Sequence, residues 1–224
     1  MLGVRRLVFE GGEPTLRDDL QEMVDSAHAA NMDVTIATNG TRSLAGYSPD
    51  RFFISVDGLE DVHDSLRGKG TTQKLLKNIK TTEVEKVAIV SVSMRNFHQI
   101  EKILGHYGRL FDGFWFSFIY DYDGRNKIML NTSQKREAAR RILSLSNKYP
   151  VINRQSYLRS VGNNRRCRDW LLCTVTSNGE IHRGCIIRES GSCNHEQCEL
   201  ACYREYSDVI EKQFALHHLP GFNK

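Results

Sequence analysis

The sequence predicts an α/β fold followed by a small cysteine-rich C-terminal β-hairpin extension. Two observations carry this. Short β-branched and aromatic runs alternate with helical patterns over the first two-thirds of the chain, and all six cysteines fall between Cys167 and Cys202. Strand-like runs cover 4–10, 33–38, 51–56, 86–92 and 113–120, each of strand length and composition. Strands separated by helices of this size pair in parallel through β-α-β units. In the first helical pattern Leu16, Leu20, Met23, Val24 and Ala27 recur at spacings of three and four. Thr15 and Asp18 have capping-box spacing just behind Pro14. Further helices are expected over 71–80, 96–110 and 132–148, the last opened by Asn131-Thr132-Ser133. From residue 151 the periodicity is lost, so 151–170 reads as a linker and the chain divides into domains 1–150 and 151–224.

Of the 224 residues, 40% are hydrophobic and 26% charged, as in a globular protein and unlike a disordered one. A net charge of +4 is too small to imply a nucleic-acid or membrane-surface partner. No apolar run approaches the roughly 20 residues that cross a bilayer, and the start lacks the apolar core of a signal peptide. Disulfide frameworks belong to small secreted domains, so a cytoplasmic location is expected and the cysteines read as metal ligands.

Gly11-Gly12, Asn39-Gly40 and Asp57-Gly58 each follow a strand directly. In parallel α/β architectures the loops after the strand C-termini form the ligand face. Each pair alone is ordinary turn chemistry, whereas three on one rim point to a site. In Val8-Phe9-Glu10-Gly11-Gly12-Glu13-Pro14-Thr15-Leu16 the twin glycines let backbone approach a ligand, Pro14 fixes the chain into the helix, and Glu13 offers a carboxylate suited to an ammonium group.

The run GGEPTL resembles the GGEP motif of the radical S-adenosylmethionine (radical SAM) superfamily. Thr38-Asn39-Gly40 is similar to the TNG that often follows the next family strand, and Ile54-Ser55-Val56-Asp57-Gly58, His63-Asp64 and Arg67-Gly68 resemble a third family stretch in the right order. The resemblance covers about residues 1–120. It implies that Gly11, Gly12, Glu13 and Pro14 bind the methionyl amino group of SAM, with Thr38 and Asn39 beside them. It also implies that Ser55 and Asp57 approach the ribose, and that a polar residue at Arg95-Asn96 can reach the same rim. It further implies a [4Fe-4S] cluster on a CxxxCxxC loop, an electron from which cleaves SAM to a 5′-deoxyadenosyl radical that abstracts hydrogen from a substrate. No cysteine precedes Cys167, and the GGEP strand, normally the second, comes first. The expected fold is therefore a partial (β/α)6 TIM-like barrel missing its first β/α unit. Truncation of a longer enzyme, a unit supplied by a partner, and a degenerate member would each explain this. Truncation is favoured, because the first strand would otherwise present an unpaired edge.

The tail places thiols at Cys167, Cys173, Cys185, Cys193, Cys198 and Cys202. Asn178-Gly179 is a hairpin signal. Read as a two-residue turn, it pairs Ser177 with Glu180, Val175 with His182 and Cys173 with Gly184, setting Cys173 beside Cys185. The chemistry leaves zinc and an iron–sulfur cluster equally open. The tail also resembles the SPASM/twitch extensions of radical SAM enzymes, with departures in spacing, and this implies an auxiliary [4Fe-4S] cluster. His182, His195 and the basic run Arg165-Arg166-Cys167-Arg168 read as solvated surface, and Trp115 with its aromatic neighbours as strand core.

Two functional readings follow. One is a radical SAM enzyme, or a piece of one, acting with an electron-donor protein on a peptide, cofactor precursor or lipid. The other is an inert barrel remnant whose metal site, iron–sulfur or zinc, docks a partner. An acid–base enzyme using Glu13 and Asp57 as paired carboxylates is a weaker third, since it leaves the tail unexplained.

Overall fold

The computed structural model describes residues 4–120, 127–163, 173–184, 198–200 and 205. Strands β1 (Arg6–Phe9), β2 (Asp33–Thr38), β3 (Arg51–Ser55), β4 (Glu85–Val92) and β5 (Gly113–Phe118) form a five-stranded parallel sheet in the order β1-β2-β3-β4-β5. All five expected strands are present. Helices α1 (Leu20–Ala29), α2 (Glu60–Arg67), α3 (Thr71–Asn78) and α4 (Ile100–Tyr107) lie in the connections. Sequential order with right-handed crossovers places every such helix on one face of the sheet. The burial pattern records this. Val34, Ile36, Phe52, Ile54, Ala88 and Val90 share the helix-packed face and are wholly buried. Their alternates Val8, Ala37, Phe53, Ser55 and Ile89 face the other way and are only partly covered. On that open face Trp115 lies against Phe53, ring centroids 5.5 Å apart. Trp115 is thus half-buried, and the core of β5 is Phe114, Phe116 and Phe118 instead.

The strand N-termini are laced together by charge. Arg51 Nη1 lies 2.8 Å from Asp33 Oδ1 and its Nε 3.2 Å from Glu85 Oε2, linking β2, β3 and β4. Asp50 accepts from the Val34 N–H at 2.7 Å and pairs with His28 at 3.0 Å. Ligand chemistry is left to the other end. The sheet's edges differ: Phe114 of β5 bridges Val151 in parallel, whereas β1 is the terminal strand on its side, with Val4 and Val8 exposed.

Three local expectations are corrected. Thr15 and Asp18 do not form a capping box. A 3-10 turn occupies Pro14–Leu16, capped by Glu13, and α1 begins only at Leu20. Leu16 is accordingly 64% exposed, while Leu20, Val24 and Ala27 make the buried stripe. The stretch read as a linker contains α6 (Gln155–Ser160), which buries Tyr157 and Leu158. Helix α2 (Glu60–Arg67) lies inside a motif and shows no apolar period in sequence, with only Val62 and Leu66 apolar among its eight residues.

The Cα positions group into two compact units, residues 1–91, 98–115 and 148–152 in one, and 92–97, 116–147 and 153–224 in the other. The second holds α5 (Thr132–Leu145), opened by a capping box in which Asn131 Oδ1 accepts from Gln134 N and Gln134 Oε1 from Asn131 N. It also holds the antiparallel pair β6 (Cys173–Val175) and β7 (Ile181–Arg183). Arg95-Asn96 falls in this unit too. Asn96 is 1% exposed and its Oδ1 accepts from Ser93 N at 2.8 Å, so it shapes its own turn.

Gly58 joins β3 to α2 at φ +156, and a side-chain carbon there would sit 2.7 Å from Val62 Cβ. Gly58→Ala is expected to lower unfolding free energy by about 2–4 kcal/mol in chemical denaturation, the sum of backbone strain and overlap.

Candidate functional site

The rim is built around Glu13. Its carboxylate does not hang free over the strand ends; it joins the loops that follow β1 and β2. Oε1 accepts from Thr15 N at 3.2 Å, Thr15 Oγ1 at 2.6 Å and Thr38 Oγ1 at 2.7 Å, and Oε2 accepts from Asn39 N at 2.8 Å. Four donors on one part-buried anion fix both loops at once, since hydrogen bonds to a charged acceptor are roughly twice as strong as neutral ones. Oε2 takes a single donor among these and keeps accepting capacity. Pro14 is buried behind it.

Each residue of Thr38-Asn39-Gly40 has a separate task. Thr38 Oγ1 donates to Glu13 and accepts from Gly40 N at 3.1 Å. Asn39 Oδ1 accepts from Thr41 N and Oγ1 at 2.8 and 2.6 Å, which closes an Asx turn. Gly40, at φ +69, lies so close to Ile54 and Leu75 that a side-chain carbon would come within 3.2 Å of each. Gly11 and Gly12 are the opposite case: a side-chain carbon at either would meet nothing within 4 Å, although Gly11 needs its φ of +128.

The third loop is self-locking. The Asp57 N–H donates to His63 Nδ1 at 3.1 Å, and Asp57 Oδ2 accepts from Arg67 Nε at 2.5 Å. Burial lowers the pKa of His63, in keeping with an Nδ1 that accepts. Asp64 then holds the start of α3, accepting from Gly70 N, Thr71 Oγ1, Thr72 N and Thr72 Oγ1. These bonds, those from Thr72 first, hold its carboxyl far below the usual carboxylate range. Ser55 sits at the rim end of the open face, in register with Ile89. Asp57 bonds Arg67, whereas Glu13 bonds Thr15, Thr38 and Asn39. The sequence alone does not mark Thr15 as a rim residue, nor the roles of His63, Asp64 and Arg67. The signal was present as polar residues at helix ends, but it required the loop geometry. A cleft of about 500 Å³ on the helix layer is lined by Leu59, Glu60, Asp61, Thr72, Leu76 and His106, Thr72 being the donor to Asp64.

In the tail, the two-residue turn is corrected. Thr176 N donates to Glu180 O and Gly179 N to Thr176 O, both at 2.9 Å, so the loop is Ser177-Asn178-Gly179 with Gly179 left-handed at φ +84. Such three-residue loops end in a left-handed glycine. The register becomes Cys173↔Arg183, Thr174↔His182 and Val175↔Ile181. Cys173 is exposed and Cys198 buried, while Cys167, Cys185, Cys193 and Cys202, like Arg165-Arg166-Cys167-Arg168 and His195, lie outside the described residues. His182 is partly buried, 3.8 Å from Glu180. Among the described residues no group of three His, Cys, Asp or Glu is placed to hold a metal ion, and no helix is long and apolar enough to cross a membrane.

Residues 1–104 match the family model described as the radical SAM superfamily. The chain is 29% identical over 108 residues to the Fe-coproporphyrin III synthase of Methanosarcina barkeri, covering 43% of this chain and 27% of that protein. It is 35% identical over 104 residues to the mycofactocin maturase MftC of Mycolicibacterium smegmatis, covering 41% and 26%. The matches thus span about a quarter of these curated relatives' length. The fold is similar to that of anSMEcpe solved with bound AdoMet and a peptide, at TM-score 0.58 and 18% identity over 81% of this chain and 60% of that one.

A carboxyl whose folded pKa is depressed contributes stability that is complete above its unfolded pKa, near 4, and is lost as pH falls toward the folded value. Melting temperature is therefore expected to decline below about pH 4 partly through Asp64. Asp64→Asn should lower it at neutral pH and flatten that acid decline in a melting series from pH 7 to 3.

Proposed function

Residues 1–104 belong to the radical SAM superfamily, and on that premise we propose that the rim formed by the ends of β1, β2 and β3 binds S-adenosylmethionine. The observation that carries this is the bare backbone at Gly11 and Gly12, where a side-chain carbon would meet only open space. It is a cradle suited to the methionyl end of the cofactor. The spare accepting capacity of Glu13 Oε2 receives the ammonium group, while Thr38, Asn39 and Thr15 hold that carboxylate still. Pro14 fixes the turn, Ser55 faces the ribose from the open side of the sheet, and Asp57 keeps its loop in place through Arg67.

In this superfamily a thiolate-bound [4Fe-4S] cluster supplies the electron that cleaves SAM to a 5′-deoxyadenosyl radical. Residues 1–166 contain no cysteine, so in this reading its ligands come from outside them. The thiols from Cys167 to Cys202 are read as ligands of an auxiliary [4Fe-4S] cluster, with zinc as the alternative metal. Residues 151–224 are read as a SPASM/twitch-like extension to the barrel segment 1–150. The substrate is read as a peptide, a cofactor precursor or a lipid, acted on in the cytoplasm with an electron-donor protein. A second reading keeps the rim as a non-cleaving remnant and the tail, with its six thiols from Cys167 to Cys202, as a metal scaffold that docks a partner.

Gly12→Val tests the rim. Nothing in the fold opposes the added carbons, so melting should be nearly unchanged while SAM affinity in calorimetric titration falls by about tenfold or more, as expected when ligand space is filled. Unaltered SAM binding in this variant, or none in the parent, overturns the assignment. SAM binding without 5′-deoxyadenosine release under anaerobic reducing conditions favours the second reading.

A further inference from the structure

The second unit contains buried carboxylates that the SAM rim does not use. Glu199 is 1% exposed and adjoins Cys198, itself 4% exposed. Its Oε1 accepts from Gly162 N at 2.8 Å, and its backbone carbonyl accepts the Tyr157 hydroxyl at 2.7 Å. Gly162 is held in turn at φ +77, its carbonyl receiving Arg136 Nη2 from α5 at 2.6 Å. Six residues beyond Glu199, Glu205 is 9% exposed and accepts from Asn153 Nδ2 at 2.5 Å. The same Asn153 amide takes Phe116 N on its Oδ1 at 2.7 Å and donates to Phe116 O at 2.9 Å, standing where a neighbouring strand would.

Burying a carboxylate is costly unless donors replace the lost water. A segment merely lying on α6 would be cheaper with apolar side chains there. Two carboxylates instead meet donors prepared by α5, α6 and β5, and Cys198 and Cys202 fall beside and between them in sequence.

The geometry points to Tyr157, Asn153, Glu199 and Glu205 as positioning residues that seat the chain at 198–200 and at 205, so that the Cys198 thiol is fixed in place before any metal binds. Preorganised thiols lose less conformational freedom on coordination and so hold metal more tightly. The consequence for metal rests on the tail being a metal site; the seating itself does not.

The two are separated by pulse alkylation of the metal-free full chain with N-ethylmaleimide, read by peptide mass spectrometry. Exposed Cys173 serves as the internal control. In the parent, Cys198 should react at least about tenfold more slowly than Cys173, and Asn153→Ala or Tyr157→Phe should speed Cys198 by about tenfold with Cys173 unchanged, as expected for loss of a buried hydrogen bond. Glu199→Gln, which keeps an oxygen for Gly162 N–H, should retain the slow reaction that Glu199→Ala loses. Should Asn153→Ala fail to fold by circular dichroism, Tyr157→Phe, which removes one hydroxyl, decides. Cys198 reacting as fast as Cys173 in the parent, or unchanged in both variants, overturns the seating. After anaerobic loading with iron and sulfide, or with zinc, Tyr157→Phe should surrender metal to a chelator faster than the parent. Equal release overturns the link to metal retention, and a parent that takes up neither metal overturns the metal reading of the tail while the alkylation rates still judge the seat.

Discussion

One carboxylate sets the geometry on which the rim depends. Glu13 gathers Thr15, Thr38 and the Asn39 N–H around itself, so the loops after β1 and β2 are one object and not two neighbouring turns. A polar loop left to itself samples many conformations, and fixing each residue costs about 1–2 kcal/mol of backbone entropy. Charge-assisted hydrogen bonds offset part of that cost where water cannot compete fully. The arrangement also explains why helix α1 starts late: Thr15, which would otherwise open it, is engaged in holding the anion.

The third loop solves the same problem without crossing to a neighbour. Asp57, His63 and Arg67 close on one another, and Asp64 grips the beginning of the next helix. The rim therefore combines a clip between loops with a latch inside one. Both rely on side chains meeting backbone N–H groups, and both leave the backbone of Gly11 and Gly12 uncovered.

Much of this was legible from residue order alone. All five strands are legible from their length and their β-branched and aromatic composition. The GGEP, TNG and Asp57-Gly58 segments were placed on one rim because each follows such a run. Less visible was how polar residues would be spent. Thr15 has the spacing of a cap and serves as a donor to Glu13. Helix α2 carries too few apolar residues to show a period, and α6, six residues long, buries Tyr157 and Leu158 within a stretch that has no repeat. The partners of Glu199 and Glu205 lie far off in sequence, and no local pattern announces such pairing.

The hairpin shows how little separates two outcomes for a thiol. With three residues in its loop, Cys173 stands opposite Arg183 on the exposed side, with Val175 and Ile181. Side-chain direction alternates with every residue of a strand. Removing a single codon from 177–179 would hand each ladder position to its neighbour and turn half of these groups over. A change of length at this tip would thus act as a toggle on sulfur orientation, and an alignment that treated it as an ordinary gap would superimpose cysteines with opposite bearings.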